Sequence, residues 1–300
     1  MTTTSHTKTA VVDWEDPSRA VVVGVDGSER NQAAVAWASS QALGASRPLT
    51  LLHVLGDYGV PIPHHSMATD DERGRQVLRQ IRTDLLSQHP GMAVRYQMAS
   101  GATVSCLLDR SVDQAMLVVG KRGLSAIART MIGSTSIAAA GRSRVPAVVV
   151  PDVWRQEDHA DESIVVGVDP DELHEVALRF AFRHAQRLGV GVHLVFAIDP
   201  EPELARVHAL EPDFYARAKE LAAQRVEDAL LPYRRTFPDV PVRHSEFRGH
   251  PGTALLDVAT NAQMIVLGRN HSSRLGFPLG SLTRGVLHHS TVPVAVVPSP

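Results

Sequence analysis

AVVVGVDGSERNQAAVAWA, residues 20–38, returns as SIVVGVDPDELHEVALRFA, residues 163–181, with Gly24 matching Gly167 and Asp26 matching Asp169 at an offset of 143. MLVVGKRG (Met116 to Gly123) returns as MIVLGRNH (Met264 to His271), and RVPAVVVP (Arg144 to Pro151) as TVPVAVVP (Thr291 to Pro298), at offsets of 148 and 147. Offsets that drift so little mean one fold written twice. The charged, unpatterned WRQEDHADE (Trp154 to Glu162) reads as a linker. The expected division is a loose tail over residues 1–18, a first domain over 19–152, a linker over 153–162 and a second domain over 163–300.

Within each copy the pattern is strand, helix, strand, long helix, strand, helix, strand, helix, strand. Val21 to Val25 is a short β-branched run ending in Gly27-Ser28, the form of a strand buried on both faces. Glu29 to Leu43 carries Ala34, Trp37, Ala38 and Ala42 at helical spacing and stops at Gly44; the second copy repeats this with Leu173, Ala177, Phe180, Ala181 and Leu188 before Gly189. Both glycines are expected as helix caps. Strands follow at Leu49 to Val54 and Val192 to Ala197, then long amphipathic helices around Val77, Leu78, Ile81 and Leu85, and around Val207, Phe214, Ala218, Leu221, Arg225 and Leu230. Third strands are expected at Val94 to Ala99 and Val242 to Arg248, and fourth strands at Leu117 to Gly120 and Ile265 to Gly268. Alternating strands and helices require parallel pairing with right-handed crossovers. The fold class is therefore α/β: two tandem, doubly wound, five-stranded parallel sheets with helices on both faces, Rossmann-like.

Three hundred residues, 44% of them hydrophobic, suffice for two cores of this kind. Thirty basic against 32 acidic residues leave a net charge of -2, so no global basic field exists to hold nucleic acid. No apolar run reaches the length of a membrane span, and MTTTSHTKTA does not resemble a secretory signal, which points to the cytoplasm. The single cysteine, Cys106, excludes an internal disulfide or a cysteine cluster for zinc, and reads as packing. The histidines His64, His65, His244, His250, His271, His288 and His289 lack metal-ligand spacing. No protein metal site is expected. Lys8 and Arg19 read as solvated charge, and Trp37 and Trp154 as packing or interface residues.

Ligands of doubly wound sheets sit at the carboxyl ends of the strands. The first strand of copy one ends Gly24-Val25-Asp26-Gly27-Ser28, and the fourth ends Gly120-Lys121-Arg122-Gly123, with Gly133-Ser134 opening the next helix. Glycines admit close backbone approach, and a helix N-terminus favours negative charge, so Gly120, Gly123, Gly133, Ser134 and Ser136 could cradle a polyphosphate. Lys121, Arg122 and Arg129 lie close in sequence to supply cations, and Asp26 could accept from an amine or a ribose hydroxyl. On spacing alone the alternative stays open that the glycines serve tight turns and Ser134 merely caps its helix. No G-x-x-x-x-G-K-[ST] occurs, and no G-x-G-x-x-G follows either first strand.

The arrangement resembles the universal stress protein family, an adenine nucleotide alpha hydrolase-like fold whose ATP-binding members carry G-2x-G-9x-G-[ST] after the fourth strand. Copy one has Gly120, Gly123, Gly133 and Ser134 at that spacing, and the likeness runs from about Ala20 to Pro298 in the tandem arrangement of actinobacterial members. It implies ATP, with its Mg²⁺, held by Val25, Asp26 and Val54 around adenine and ribose and by Gly120, Gly123, Gly133, Ser134, Thr135 and Ser136 around the phosphates. In copy two Gly27-Ser28 becomes Pro170-Asp171, the second glycine becomes His271, and the glycine spacing shortens by one residue. Asp169, Gly268, Gly280, Ser281 and Thr283 remain, so a weak or absent second site is expected.

The resemblance implies nucleotide-dependent regulation in a stress or growth-arrest response; the residues themselves show a phosphate cradle without a recognisable catalytic set, since no general base adjoins Gly133 and no Walker-type lysine or acidic metal ligand follows it. Slow ATP hydrolysis is one alternative. A dimerising assembly module that needs no nucleotide is another, because PAVVVP and VPVAVVP have the character of edge strands. Pairing of the two copies within a chain, and of chains into a homodimer, is implied by the resemblance; Pro151 and Pro298 would limit further strand growth.

Overall fold

The computed structural model describes residues 14–56, 67–123, 132–159, 162–198, 214–269 and 279–299. The first half runs β1 (Val21–Gly24), α1 (Gln32–Gly44), β2 (Leu49–Gly56), α2 (Met67–Gln88), β3 (Val94–Gly101), α3 (Thr103–Ser111), β4 (Met116–Gly120), α4 (Ser134–Arg142) and β5 (Ala147–Val150). The second runs β6 (Ile164–Gly167), α5 (Glu175–Leu188), β7 (Val192–Ile198), α6 (Phe214–Thr236), β8 (Val242–Arg248), α7 (Pro251–Val258), β9 (Met264–Arg269), α8 (Ser281–His289) and β10 (Val294–Pro298).

Each half is a parallel sheet, ordered β3-β2-β1-β4-β5 and β10-β9-β6-β7-β8. The two join where β5 and β10 pair antiparallel, Val149 opposite Val294 and Val148 opposite Ala295, giving one ten-stranded sheet. Side chains alternate between its faces. Val21 and Val23 pack with Trp37, Leu78 and Phe180, under α1, α2, α5 and α6. Val22 packs in a second cluster with Leu107, Ala139, Leu255 and Val286, under α3, α4, α7 and α8. Burial on both faces explains why the strands are unbroken apolar runs, each large side chain contributing about 1.5–3 kcal/mol. The chain reverses direction of winding between β1 and β4, and again between β6 and β9, so a crevice opens at the carboxyl ends of each of these pairs.

Several expectations are corrected. Gly189 caps α5 in the left-handed conformation (φ 70°), but Gly44 lies inside α1 and its cap is Ala45; the positive φ there falls on Ser46 (φ 52°). Glu29–Asn31 forms a single 3-10 turn ahead of α1. On α6 Leu230 is buried as expected, but Ala222 and Val226 are buried beside it in place of Leu221 and Arg225, which are exposed. Val207 lies outside the described residues. Trp154, assigned to the linker, is buried in the first cluster.

The expected loose tail is packed from Trp14 onward. The Trp14 ring meets Phe180 of α5 at 5.6 Å between centroids, and Glu15 pairs with Arg179 at 3.1 Å and Arg183 at 2.6 Å. Arg47, between α1 and β2, donates to the carbonyls of Asp16 at 2.6 Å and Glu15 at 2.7 Å. This strap ties the first half to α5 of the second. Arg19 also belongs to it, bonding through its carbonyl to Arg47, with its side chain only 24% exposed rather than solvated. Lys8 lies outside the described residues.

Two histidines of the second half are held neutral. Complete burial, followed by the charge of Arg187, pushes His184 well below the usual imidazole range while its Nδ1 bonds the Phe180 carbonyl at 2.8 Å. Burial first, then Arg243 and His244, push His193 down to about 4, with Nε2 at 2.9 Å from Ser245 Oγ. Both pKa values are lower in the folded chain, so the unfolded chain takes up more protons below its own value near 6.5. Stability is full above that pH and falls on acidification, at up to about 1.4 kcal/mol per pH unit per group, until the folded pKa is passed. Urea midpoints measured from pH 7 to 4.5 are expected to fall less steeply for His193→Thr, the residue found at Thr50 in the first half, than for the parent chain.

Candidate functional site

β1 and β4 are neighbours in the sheet, Val23 opposite Val118, so the turns leaving their carboxyl ends meet. Asp26 opens the β1 turn. Its Oδ1 accepts from the Ser28 amide at 2.9 Å and the Ser28 hydroxyl at 2.8 Å, and Gly27 takes φ 79° to close that turn. The other carboxylate oxygen faces Gly123: a Cβ added to Gly123 would stand 2.9 Å from Asp26 Oδ2. Glycine is thus required where the two turns touch.

The β4 loop is fixed through main-chain groups. Gly133 N–H donates to the Lys121 carbonyl at 2.9 Å, and the buried Ser136 hydroxyl donates to the Gly120 carbonyl at 2.7 Å. α4 begins at Ser134, and the cap is Gly133, with no side-chain cap bond. The first amides of α4 have no acceptor within their own helix, and its dipole is positive at this end. Ser134 is exposed and Thr135 half-buried at that end. The turns that carry Asp26, Gly120, Gly123 and Gly133 and the start of α4 at Ser134 and Thr135 lie at one end of the β1–β4 pair. Ser134 is the first helical residue rather than the expected cap, which is Gly133.

Other candidates have different work. Ser136 spends its hydroxyl on the loop instead of facing a ligand. Val25 donates its amide to the Leu52 carbonyl at 2.8 Å and takes a bond from His53 Nδ1 at 2.7 Å on its carbonyl, so its backbone is engaged. Val54 is half-buried near the end of β2, paired with Ala99 of β3. Lys121 and Arg122 do not supply free cations. Lys121 Nζ crosses to the second half and donates to the Ser290 carbonyl at 2.9 Å; burial, then the neighbouring Arg122 charge, lower it to about 8, opposed by Asp152. It still carries its proton at neutral pH. Arg122 forks onto Asp152 at 2.5 and 2.7 Å. Arg129 lies outside the described residues.

Sequence reading missed Asn31. It is buried, donates Nδ2 to the Gly24 carbonyl at 3.0 Å, and lies 3.4 Å from where a Gly120 Cβ would be, so it forms the floor between the two turns. Its place one helical turn after Gly27-Ser28 was the available signal.

The sequence model of the universal stress protein family matches residues 17–151 and again residues 162–298. The chain belongs to the universal stress protein family. A universal stress protein of Mycolicibacterium smegmatis is 30% identical over 286 residues, covering 92% of this chain and 96% of that one. One of Mycobacterium tuberculosis is 29% identical over 294 residues, with 92% and 96% covered. The crystal structure of a universal stress protein from Archaeoglobus fulgidus shares the fold, with a TM-score of 0.67 at 20% identity over 93% of this chain and 96% of that one.

In the second half of this universal stress protein Asp169 keeps its turn, Oδ1 accepting from the Asp171 amide at 2.9 Å, although Pro170 cannot reproduce the positive φ of Gly27. Asp171 is ion-paired with Arg225 of α6, which offsets the negative charge expected near the site. Gly280 caps α8, Ser281 is exposed at its start, and Thr283, matching Ser136, is buried. Gly268 lies against the His174 ring. His271 and the shortened loop lie outside the described residues.

The remaining chemistry-bearing side chains are engaged elsewhere. Cys106 is half-buried with Sγ 3.7 Å from the Ser100 carbonyl. His244 pairs with Glu227 at 3.0 Å, and His250 caps the Gly252 amide at 3.1 Å. His64 and His65 lie outside the described residues. No described helix is long and apolar enough to cross a membrane. Both β5 and β10 are spent on the internal seam, each flanked by a strand on either side, so those edges are not open to a second chain.

Proposed function

We propose that this universal stress protein is a cytoplasmic, ATP-binding regulator whose first half holds the nucleotide and whose response to stress or growth arrest follows from occupancy. The observation that carries this reading is the junction of Asp26 with Gly123 beside the amino end of α4, at the crevice between β1 and β4. The residues fit such a ligand. Glycine backbone at Gly120, Gly123 and Gly133 leaves room for close approach, while Ser134, Thr135 and the first amides of α4 offer donors to phosphate oxygens. Asp26, whose Oδ2 faces Gly123, is placed to meet an adenine or ribose donor, and Val25 and Val54 contribute apolar surface. The bound nucleotide supplies charge and brings its own Mg²⁺; the chain supplies placement. Because Lys121 and Arg122 are committed to other contacts, binding relies on amides and the helix dipole more than on cations.

Regulation has a route in the same elements. The Lys121 carbonyl holds Gly133 at the head of α4 while its amine holds the end of α8, and Arg269 returns a bond to the Ala140 carbonyl near the end of α4, at 3.3 Å. A ligand that draws the Lys121 loop towards itself also acts on the second half. A homodimer, included in this reading, uses a surface other than β5 and β10.

Native mass spectrometry with and without Mg²⁺ATP counts nucleotides and chains together. One nucleotide per chain is expected. A chain that takes up none at millimolar ATP would reduce the junction to a tight turn, and phosphate release by the pure protein would move the reading towards slow hydrolysis.

A further inference from the structure

We infer that the residue three positions after the β1 or β6 turn serine or aspartate, Asn31 in the first half and His174 in the second, decides which half admits nucleotide, and that His174 closes the second half together with Ser299. This rests on the reading above. It concerns the second half's described residues, where both glycines of the first strand and fourth strand survive.

The two halves provide an internal comparison. Gly120 and Gly268 are equivalent, and each points its missing side chain at the residue opening the following helix of the first βα unit. In the first half the residue makes only ordinary contact: a Gly120 Cβ would lie 3.4 Å from Asn31 Nδ2, and its nearest neighbour would be the Arg122 carbonyl at 3.2 Å. Asn31 Oδ1 is buried with no hydrogen-bond partner among the described residues, an acceptor beneath the cradle that a ligand-bound water or hydroxyl could satisfy. In the second half a Gly268 Cβ would overlap the His174 ring and stand 2.6 Å from its Cβ. The space left by this glycine is therefore filled from within the chain.

The imidazole is also fixed there. His174 Nδ1 accepts from the Ala177 amide at 3.2 Å as the cap of α5, which places the ring proton on Nε2; that nitrogen lies 2.9 Å from Ser299 Oγ, and the Ser299 hydroxyl donates to the Arg269 carbonyl at 3.0 Å. The chain of bonds runs from α5, across Gly268, to the residue after β10. Among the described residues no equivalent chain of bonds spans the first half, where Asp152, the counterpart of Ser299, turns to Arg122. Admitting a polyphosphate against Gly268 would require breaking two side-chain hydrogen bonds and moving a packed ring. That cost is absent at Gly120.

The test exchanges the two residues in the full-length chain and reads Mg²⁺ATP stoichiometry by native mass spectrometry and affinity by calorimetry. Asn is itself a favoured helix cap, so His174→Asn retains the α5 cap while removing the ring. It is expected to add a second nucleotide per chain. Asn31→His is expected to weaken the first site by roughly tenfold or more, whereas Asn31→Ser, which gives up the bond to Gly24 but adds no bulk, weakens it clearly less than Asn31→His does. Unchanged binding in both His174→Asn and Asn31→His would overturn the inference. If Asn31→His does not fold, by circular dichroism, His174→Asn decides alone. If the parent chain binds nothing, the functional reading fails; uptake of one nucleotide by His174→Asn would still uphold the inference, and no uptake would sink it as well.

Discussion

An Ala295→Asp chain is expected to lose several kcal/mol of stability, enough to deplete the soluble folded protein. Ala295 sits in the middle of β10, fully buried, opposite Val148 at the antiparallel seam. Its side chain enters the hydrophobic cluster that contains Trp154 and Phe180. A carboxylate placed there must be stripped of water or protonated, and either route costs several kcal/mol against a typical total of about 5–15. Because β10 joins the two halves, the loss should appear as separation of the halves as well as unfolding. Thr291→Asp, four residues earlier on the exposed turn, is the matched control. Urea titration followed by tryptophan fluorescence distinguishes them, since Trp37 and Trp154 are both buried. Equal midpoints for the two variants would show that the seam contributes little to stability.

The seam itself was legible in outline. Two short apolar runs flanked by prolines, at the ends of equivalent copies, have the composition of edge strands, and edges seek partners. The repeat dictated the element order, and unbroken apolar runs and helical spacing located most strands and helices. Asp26 and the three glycines were legible because main-chain requirements leave a local trace in sequence. Side-chain partners left none. Lys121 looks like a phosphate ligand beside Gly120, yet its amine is used by Ser290, 169 residues away. Arg122 likewise turns to Asp152, and Trp14 folds back on Phe180. The Lys121 and Trp14 contacts depend on how the halves dock, and the Arg122 contact on how the end of β5 meets the β4 loop, which no local pattern encodes. His174 was hidden for a further reason: the weak or absent second site was expected from Pro170, Asp171, His271 and the shortened loop, and Gly268 counted only as a surviving motif residue, whereas a Cβ at that position would overlap the His174 ring. A motif glycine records a tight approach without recording what approaches.

Gly123→Val separates those two meanings in the first half, and its expected effect on ligand binding is the largest of any single change. The Cβ alone would stand 2.9 Å from Asp26 Oδ2, closer than carbon and oxygen tolerate without movement. A β-branched side chain adds two methyl groups to that approach and cannot relieve it by rotation. Asp26 must then leave its bonds to Ser28, or the loop must retreat from β1; both open the junction on which placement of the nucleotide depends. Mg²⁺ATP affinity should fall by a hundredfold or more, about 2.7 kcal/mol. The fold should lose much less, because Gly123 is half-buried at the sheet's edge and contributes no side chain to either core. Asp26→Asn provides the complementary measurement: its amide can still accept from Ser28 through Oδ1, so the turn is kept while the carboxylate charge is lost. If Gly123→Val abolishes binding and Asp26→Asn weakens it moderately, shape and charge act at the same junction. If Gly123→Val binds ATP as the parent does, the meeting of Gly123 with Asp26 is a packing requirement of the fold and the nucleotide does not sit there.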